Sequence, residues 1–88
     1  MLLLDKLAES ISRSPSKAHI IKLLERKKFL TITEISKELK LHKSTVLRHV
    51  ELLERNSLIQ KEKAEIDRRM TLLSLTERGK KIAKMLKL

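Results

Sequence analysis

Apolar positions recur at helical spacing through most of the chain and give way to partial alternation only between residues 58 and 75. Over residues 2–12, Leu4, Leu7 and Ile11 stand three and four apart, which predicts a short amphipathic helix. So short a helix does not hold alone in water, so its stripe must pack on its own domain or on a second copy. Residues 10–16 break the pattern. Pro15 disfavours helical geometry at Ser14 and suits the first turn of a new helix capped by Ser14. That helix runs to about Lys28 with Ile20, Ile21, Leu23 and Leu24 as its apolar face, and Phe29-Leu30 is expected to close it against the core.

A second start follows at once. Thr31 with Glu34 is a capping box, with Thr33 as the rival cap, and Ile32, Ile35 and Leu39 sit at i, i+3 and i+7. After a connection at residues 40–42, a helix over 43–55 carries Val46, Val50 and Leu53 at i, i+4 and i+7, pointing into a core. Ser44, Thr45 and Arg48 lie on roughly the opposite side, with Lys43 on one flank and His49 on the other. This pair is a helix-turn-helix. Asn56-Ser57 is the stop, with Asn56 expected to take left-handed geometry. Residues 58–63 and 69–75 read as strands around a charged loop, with Thr71, Leu73 and Leu75 on one face: a hairpin "wing". Thr76 caps the last helix, and Glu77 suits its positive end. Gly79, the only glycine, permits a close approach to a neighbour. Ile82, Met85 and Leu86 form one stripe; Lys80, Lys84 and Lys87 form another. The fold class is mainly α with a small β-hairpin (α+β), a winged helix-turn-helix. It divides into an N-terminal helix over 1–13, a central unit over 14–75 and a C-terminal helix over 76–88.

Composition narrows the function. With 88 residues, 41% hydrophobic, the chain suits one small domain with a modest core. The net charge of +10 divides as +4 over residues 1–30 and +6 over 31–88, and favours a polyanionic partner. Heat-adapted proteins also carry such Lys/Glu-rich surfaces. Phe29 is the sole aromatic residue, so no stacking platform for single strands or RNA can be built, and duplex DNA fits better. The absence of cysteine excludes disulfides and thiolate metal sites. His19, His42 and His49 have no clustered carboxylates, so no metal and no cofactor are expected, and no catalytic constellation appears. The opening MLLLDKLAES is a poor signal peptide, and no apolar run approaches a bilayer span, so a cytoplasmic protein is the expectation. Residues 78–87 carry +5, a composition shared with interfacial membrane helices, but tryptophan and a second lipid-binding signal are lacking and no membrane partner is expected.

Three stretches together resemble the winged-helix core of the MarR family of transcription regulators. They are Leu53-Glu54-Arg55-Asn56-Ser57-Leu58-Ile59, then Asp67-Arg68-Arg69, then Leu75-Thr76-Glu77-Arg78-Gly79. Each motif is weak alone; their order and spacing over residues 15–80 carry the signal. The short form is also similar to ArsR-type and small archaeal winged-helix proteins. The resemblance implies a homodimer on inverted repeats of double-stranded DNA, controlling transcription by repression. A reader helix over 43–55 would enter the major groove, and a wing over 60–70 the minor groove. Ser44, Thr45 and Arg48 would belong to the reader, and Arg69 would reach the minor groove with Asp67 orienting it. Three departures stand out. Ser57 replaces the usual glycine, the wing lacks proline and glycine and holds Ile66, and family members are usually much longer.

The expected DNA contacts are therefore Lys43, Ser44, Thr45 and Arg48, with His42 capping or meeting a phosphate, Lys61 and Lys63 on phosphates, and Arg68 and Arg69 on the wing. Bland alternatives exist: Arg48 paired with Glu51 or Glu54, and Arg68 or Arg69 paired with Asp67 or Glu65. Leu4, Leu7, Ile11, Ile82, Met85 and Leu86 are the candidates for dimerisation. The short terminal helices argue against a small-molecule effector. Two other readings remain open: a sequence-indifferent, chromatin-like DNA coater, and a protein-interaction winged helix within transcription machinery.

Overall fold

Two of the helix starts, after Thr31 and after Thr76, are fixed by side-chain caps, whereas helix ends depend on where the chain has to turn. The computed structural model describes residues 2–86, so Lys87 of the expected basic stripe lies outside the described residues, as do positions 1 and 88. In chain order the elements are α1 (Leu2–Ser12), α2 (Pro15–Lys27), α3 (Ile32–Leu39), α4 (Lys43–Arg55), β1 (Ile59–Lys63), β2 (Thr71–Leu75) and α5 (Glu77–Met85). This is an α+β winged helix-turn-helix, as expected.

The capping box is complete: the Thr31 amide donates to Glu34 Oε1 (2.8 Å) and the Glu34 amide to Thr31 Oγ1 (3.1 Å). Thr33 plays no part in the cap. Ser14 has the extended cap backbone before Pro15, but its side chain makes no capping hydrogen bond. Thr76 does cap α5, accepting from the Gly79 amide (2.9 Å) while its hydroxyl donates to the Ser57 carbonyl (2.6 Å).

The stop of α4 corrects the expectation. Asn56 is not left-handed (φ −87), and Ser57 is (φ 62). The Leu58 amide reaches the Leu53 carbonyl (2.9 Å) and the Ser57 amide the Glu54 carbonyl (2.9 Å), which is a Schellman motif centred on Ser57. Asn56 contributes through its side chain instead, its Nδ2 donating to the Leu52 carbonyl (3.0 Å).

The strands pair antiparallel from Ile59↔Leu75 to Lys63↔Thr71. The second strand begins at Thr71 rather than Arg69, because the Asp67 carbonyl takes the Met70 amide (2.9 Å) into the turn. One rung was not foreseen. Leu30 pairs with Leu73 through two backbone hydrogen bonds (3.1 and 2.8 Å), tying the end of α2 to the hairpin.

Ile20, Ile21, Leu24, Ile35, Val46, Val50, Leu53, Leu58, Ile59, Leu73 and Ile82 are fully buried. Val46, Val50 and Leu53 thus face inward as their spacing predicts. Phe29 does not close the core: it is 52% exposed, and Leu30 alone is buried there. The terminal helices pack on their own domain, one of the two arrangements expected. α1 packs on α2 and α5, so Ile11, Ile82 and Leu86 are buried in this chain's own core. Leu4 and Leu7 lie half-buried against it, and of the candidate dimer residues only Met85 is exposed. Gly79 does permit a close approach, since a Cβ there would overlap the Leu58 carbonyl oxygen.

Candidate nucleic-acid interface

α4 presents four exposed residues along one outward stripe: Ser44, Arg48, Glu51 and Arg55, spaced i, i+4, i+7 and i+11. Ser44 and Arg48 were expected there. Glu51 and Arg55 were not singled out, although the same spacing carries them. Among the described residues Arg48 has no ion-pair or hydrogen-bond partner. Glu54, one of its candidate partners, instead pairs with Lys61 (3.2 Å), tethering α4 to β1. Lys61 therefore has a structural partner as well as an exposed ammonium.

The two flanks of α4 differ. Thr45 and His49 are half-buried on the side turned to α2. His49 is held below its ordinary pKa of 6.5, first by burial, then by Lys17 and Arg48, and its Nδ1 is buried without a hydrogen-bond partner. Burial and the two nearby cations all disfavour the protonated ring. Lys17, at the first turn of α2, thus stands beside α4, which its sequence position did not reveal. On the other flank, exposed Leu47 lines an open groove of about 460 Å³ with Ile32, Lys61, Glu62, Lys63, Thr71 and Leu73. Lys43, one turn before Leu47, shares that flank and is exposed. His42 occupies the cap position of α4, exposed, with no side-chain capping bond.

At the hairpin tip, Asp67 Oδ1 accepts from both the Arg69 amide (2.9 Å) and Arg69 Nε (3.3 Å). The Arg69 side chain remains 93% exposed. So open an ion pair contributes little stability; its effect is to restrict where the guanidinium sits. The Ala64 amide to the Met70 carbonyl (3.1 Å) closes the loop behind it. Arg68 and Ile66 are exposed, Ile66 completely. Lys63 donates to Thr71 Oγ1 across the strands (3.2 Å). The sequence-predicted positions therefore divide between an α4 stripe and a hairpin tip, and of the expected DNA contacts Thr45 alone is half-buried.

Among the described residues no three His, Asp or Glu side chains come together as a metal site, and no helix is long and apolar enough to cross a membrane.

A model of the MarR family matches residues 13–71. Solved structures similar to the chain include a variant of ZitR from Lactococcus lactis, 33% identical over 80% of this chain and 47% of that one, with a TM-score of 0.76. FabT from Streptococcus pneumoniae, solved in complex with DNA, is 32% identical over 78% of this chain and 48% of its own (TM-score 0.75). The adhesin competence repressor AdcR from Streptococcus pyogenes is 30% identical over 80% and 50% (TM-score 0.76). The chain spans about half the length of these proteins. No curated protein matched it.

Proposed function

The chain belongs to the MarR family, and from that premise we propose that it is a transcription regulator that binds double-stranded DNA as a homodimer and represses. α4 enters a major groove, with Ser44 and Arg48 at base edges and Lys43 and His42 at phosphates. The hairpin lies along the adjacent minor groove with Arg69 inserted, Arg68, Lys61 and Lys63 near the backbone, and Asp67 aiming Arg69. The observation that carries this reading is the outward stripe of α4. It serves no core, and its central arginine has no protein partner although carboxylates lie on the same helix. A guanidinium left unpaired between the Ser44 hydroxyl and Glu51 is free for bidentate recognition of guanine. Thr45, half-buried, contributes less than Ser44.

Selection of bound duplexes from a random pool tests it, and the recovered motif should show inverted symmetry with half-sites about one helical turn apart. Arg48→Ala and Arg69→Ala should each weaken binding to that motif by about 1–3 kcal/mol, and only Arg48→Ala should relax base preference. Unchanged affinity in both variants would overturn the residue assignment.

One observation favours a second reading, a sequence-indifferent coater of DNA: the +10 charge is spread over both halves of the chain. Such a coater gives a steep salt dependence with no preference for the selected motif over random duplex, whereas the regulator gives both.

A further inference from the structure

The face of the hairpin turned away from α4 carries a second groove. Lys61 and Leu73 are register partners and border the groove beside Leu47. Gln60 and Ser74, one residue along each strand, point to the opposite face and wall a separate open groove of about 580 Å³. Its other walls are the end of α2 and the outer side of α5.

Charge and shape agree there. Two carboxylates border the groove, and both are engaged: Glu25 with Lys22 (2.9 Å) and Glu77 with Lys80 (3.4 Å). Lys28, Lys81 and Lys84 have no partner among the described residues, so the groove keeps an uncompensated positive charge. At its rim stands Phe29, the chain's only aromatic residue. A tight turn puts it there. Lys28 adopts φ 74 and ψ −54, and the Phe29 amide donates back to the Lys27 carbonyl (3.0 Å), a γ-turn of the positive-φ kind that non-glycine residues rarely enter. The turn sends Leu30 into the sheet and leaves the ring outside.

We propose that this groove docks an acidic protein segment carrying a bulky apolar side chain. The apolar group packs on Phe29 while flanking carboxylates meet Lys28, Lys81 and Lys84. Protein-binding surfaces are enriched in accessible aromatic residues bordered by polar ones. A duplex would use the lysines but not the ring, because its bases are stacked within the helix. The surface is distinct from the α4 stripe, and the proposal does not depend on the duplex reading.

The full chain, free and bound to duplex, is titrated with a fluorescent peptide alternating aspartate and leucine, and with an oligo-aspartate of equal charge. The first should bind about tenfold more tightly than the second, with or without duplex. Phe29→Ala should abolish that difference, Lys81→Glu with Lys84→Glu should weaken both peptides, and Arg48→Ala should change neither. All the replaced side chains are exposed, so unchanged thermal melts confirm folding of each variant. Equal affinity for the two peptides with no response to Phe29→Ala overturns the proposal, as does displacement of the peptide by added short duplex.

Discussion

Ser57 and Gly79 are opposite cases of fit between side chain and backbone. Ser57 holds φ 62 where the Schellman turn demands a left-handed residue, and a Cβ there is a steric cost that glycine does not bear. Ser57→Gly is expected to raise unfolding free energy by about 0.5–1 kcal/mol, less what glycine adds to the entropy of the unfolded chain. Gly79→Ala is expected to lower it by about 2 kcal/mol or more, because the new methyl meets the rigid Leu58 carbonyl rather than a flexible side chain. Urea midpoints read both, and shifts of the same sign would show that the account of one site is wrong. Caps that act over three residues, Thr31 with Glu34 and Thr76 with Gly79, are readable in the chain because donor and acceptor are set by spacing alone. The left-handed residue was misplaced by one, since asparagine's tolerance for that geometry says nothing of where Leu58 must turn to reach Leu53.

Elements are held in place by contacts that mix legible and illegible parts. Alternation announced the hairpin, but no glycine or proline marked its tip, and the Leu30–Leu73 rung is a single residue paired across a long separation. No periodicity exists in one residue. The same rung explains Phe29: with Leu30 committed to the sheet, its neighbour is turned outward. α4 packs on α2, α3 and β1; the Glu54–Lys61 ion pair ties it to β1, whereas Lys17 of α2 repels a charge on His49. The His49 side has a consequence with pH. Its folded pKa lies below the ordinary 6.5, so the neutral ring contributes stability that is present above that value and lost as pH falls through the lowered folded pKa. Protonation would place a third positive charge next to Lys17 and Arg48. The urea midpoint should therefore fall as pH drops below about 6.5, and His49→Gln should flatten that dependence. An identical pH slope in the variant would remove His49 as the cause.

At the scale of the whole molecule, the proposed homodimer needs a surface for its second copy. Helical spacing marked the apolar stripes of the two terminal helices but could not name what they pack against, and most of that surface goes to the chain's own core. What remains near the termini is exposed Leu3 (77%), the half-buried edges of Leu4 and Leu7, and Met85 (36%). α1 and α5 pack on each other, and these residues lie on those two helices. If the homodimer proposed above forms there, Leu3→Lys with Met85→Lys should leave the fold and its melt intact, because neither side chain is buried. The double variant should sediment as a monomer where the parent sediments as a dimer. Its affinity for a two-fold site should fall toward that for an isolated half-site, since the second reader helix no longer arrives already tethered. Arg48→Ala is expected to behave differently, weakening half-site and two-fold site together while leaving the dimer intact. A parent chain that is monomeric at the concentrations where it recognises inverted repeats would reject the terminal helices as the dimer surface. An unchanged mass in the double variant would move that surface elsewhere.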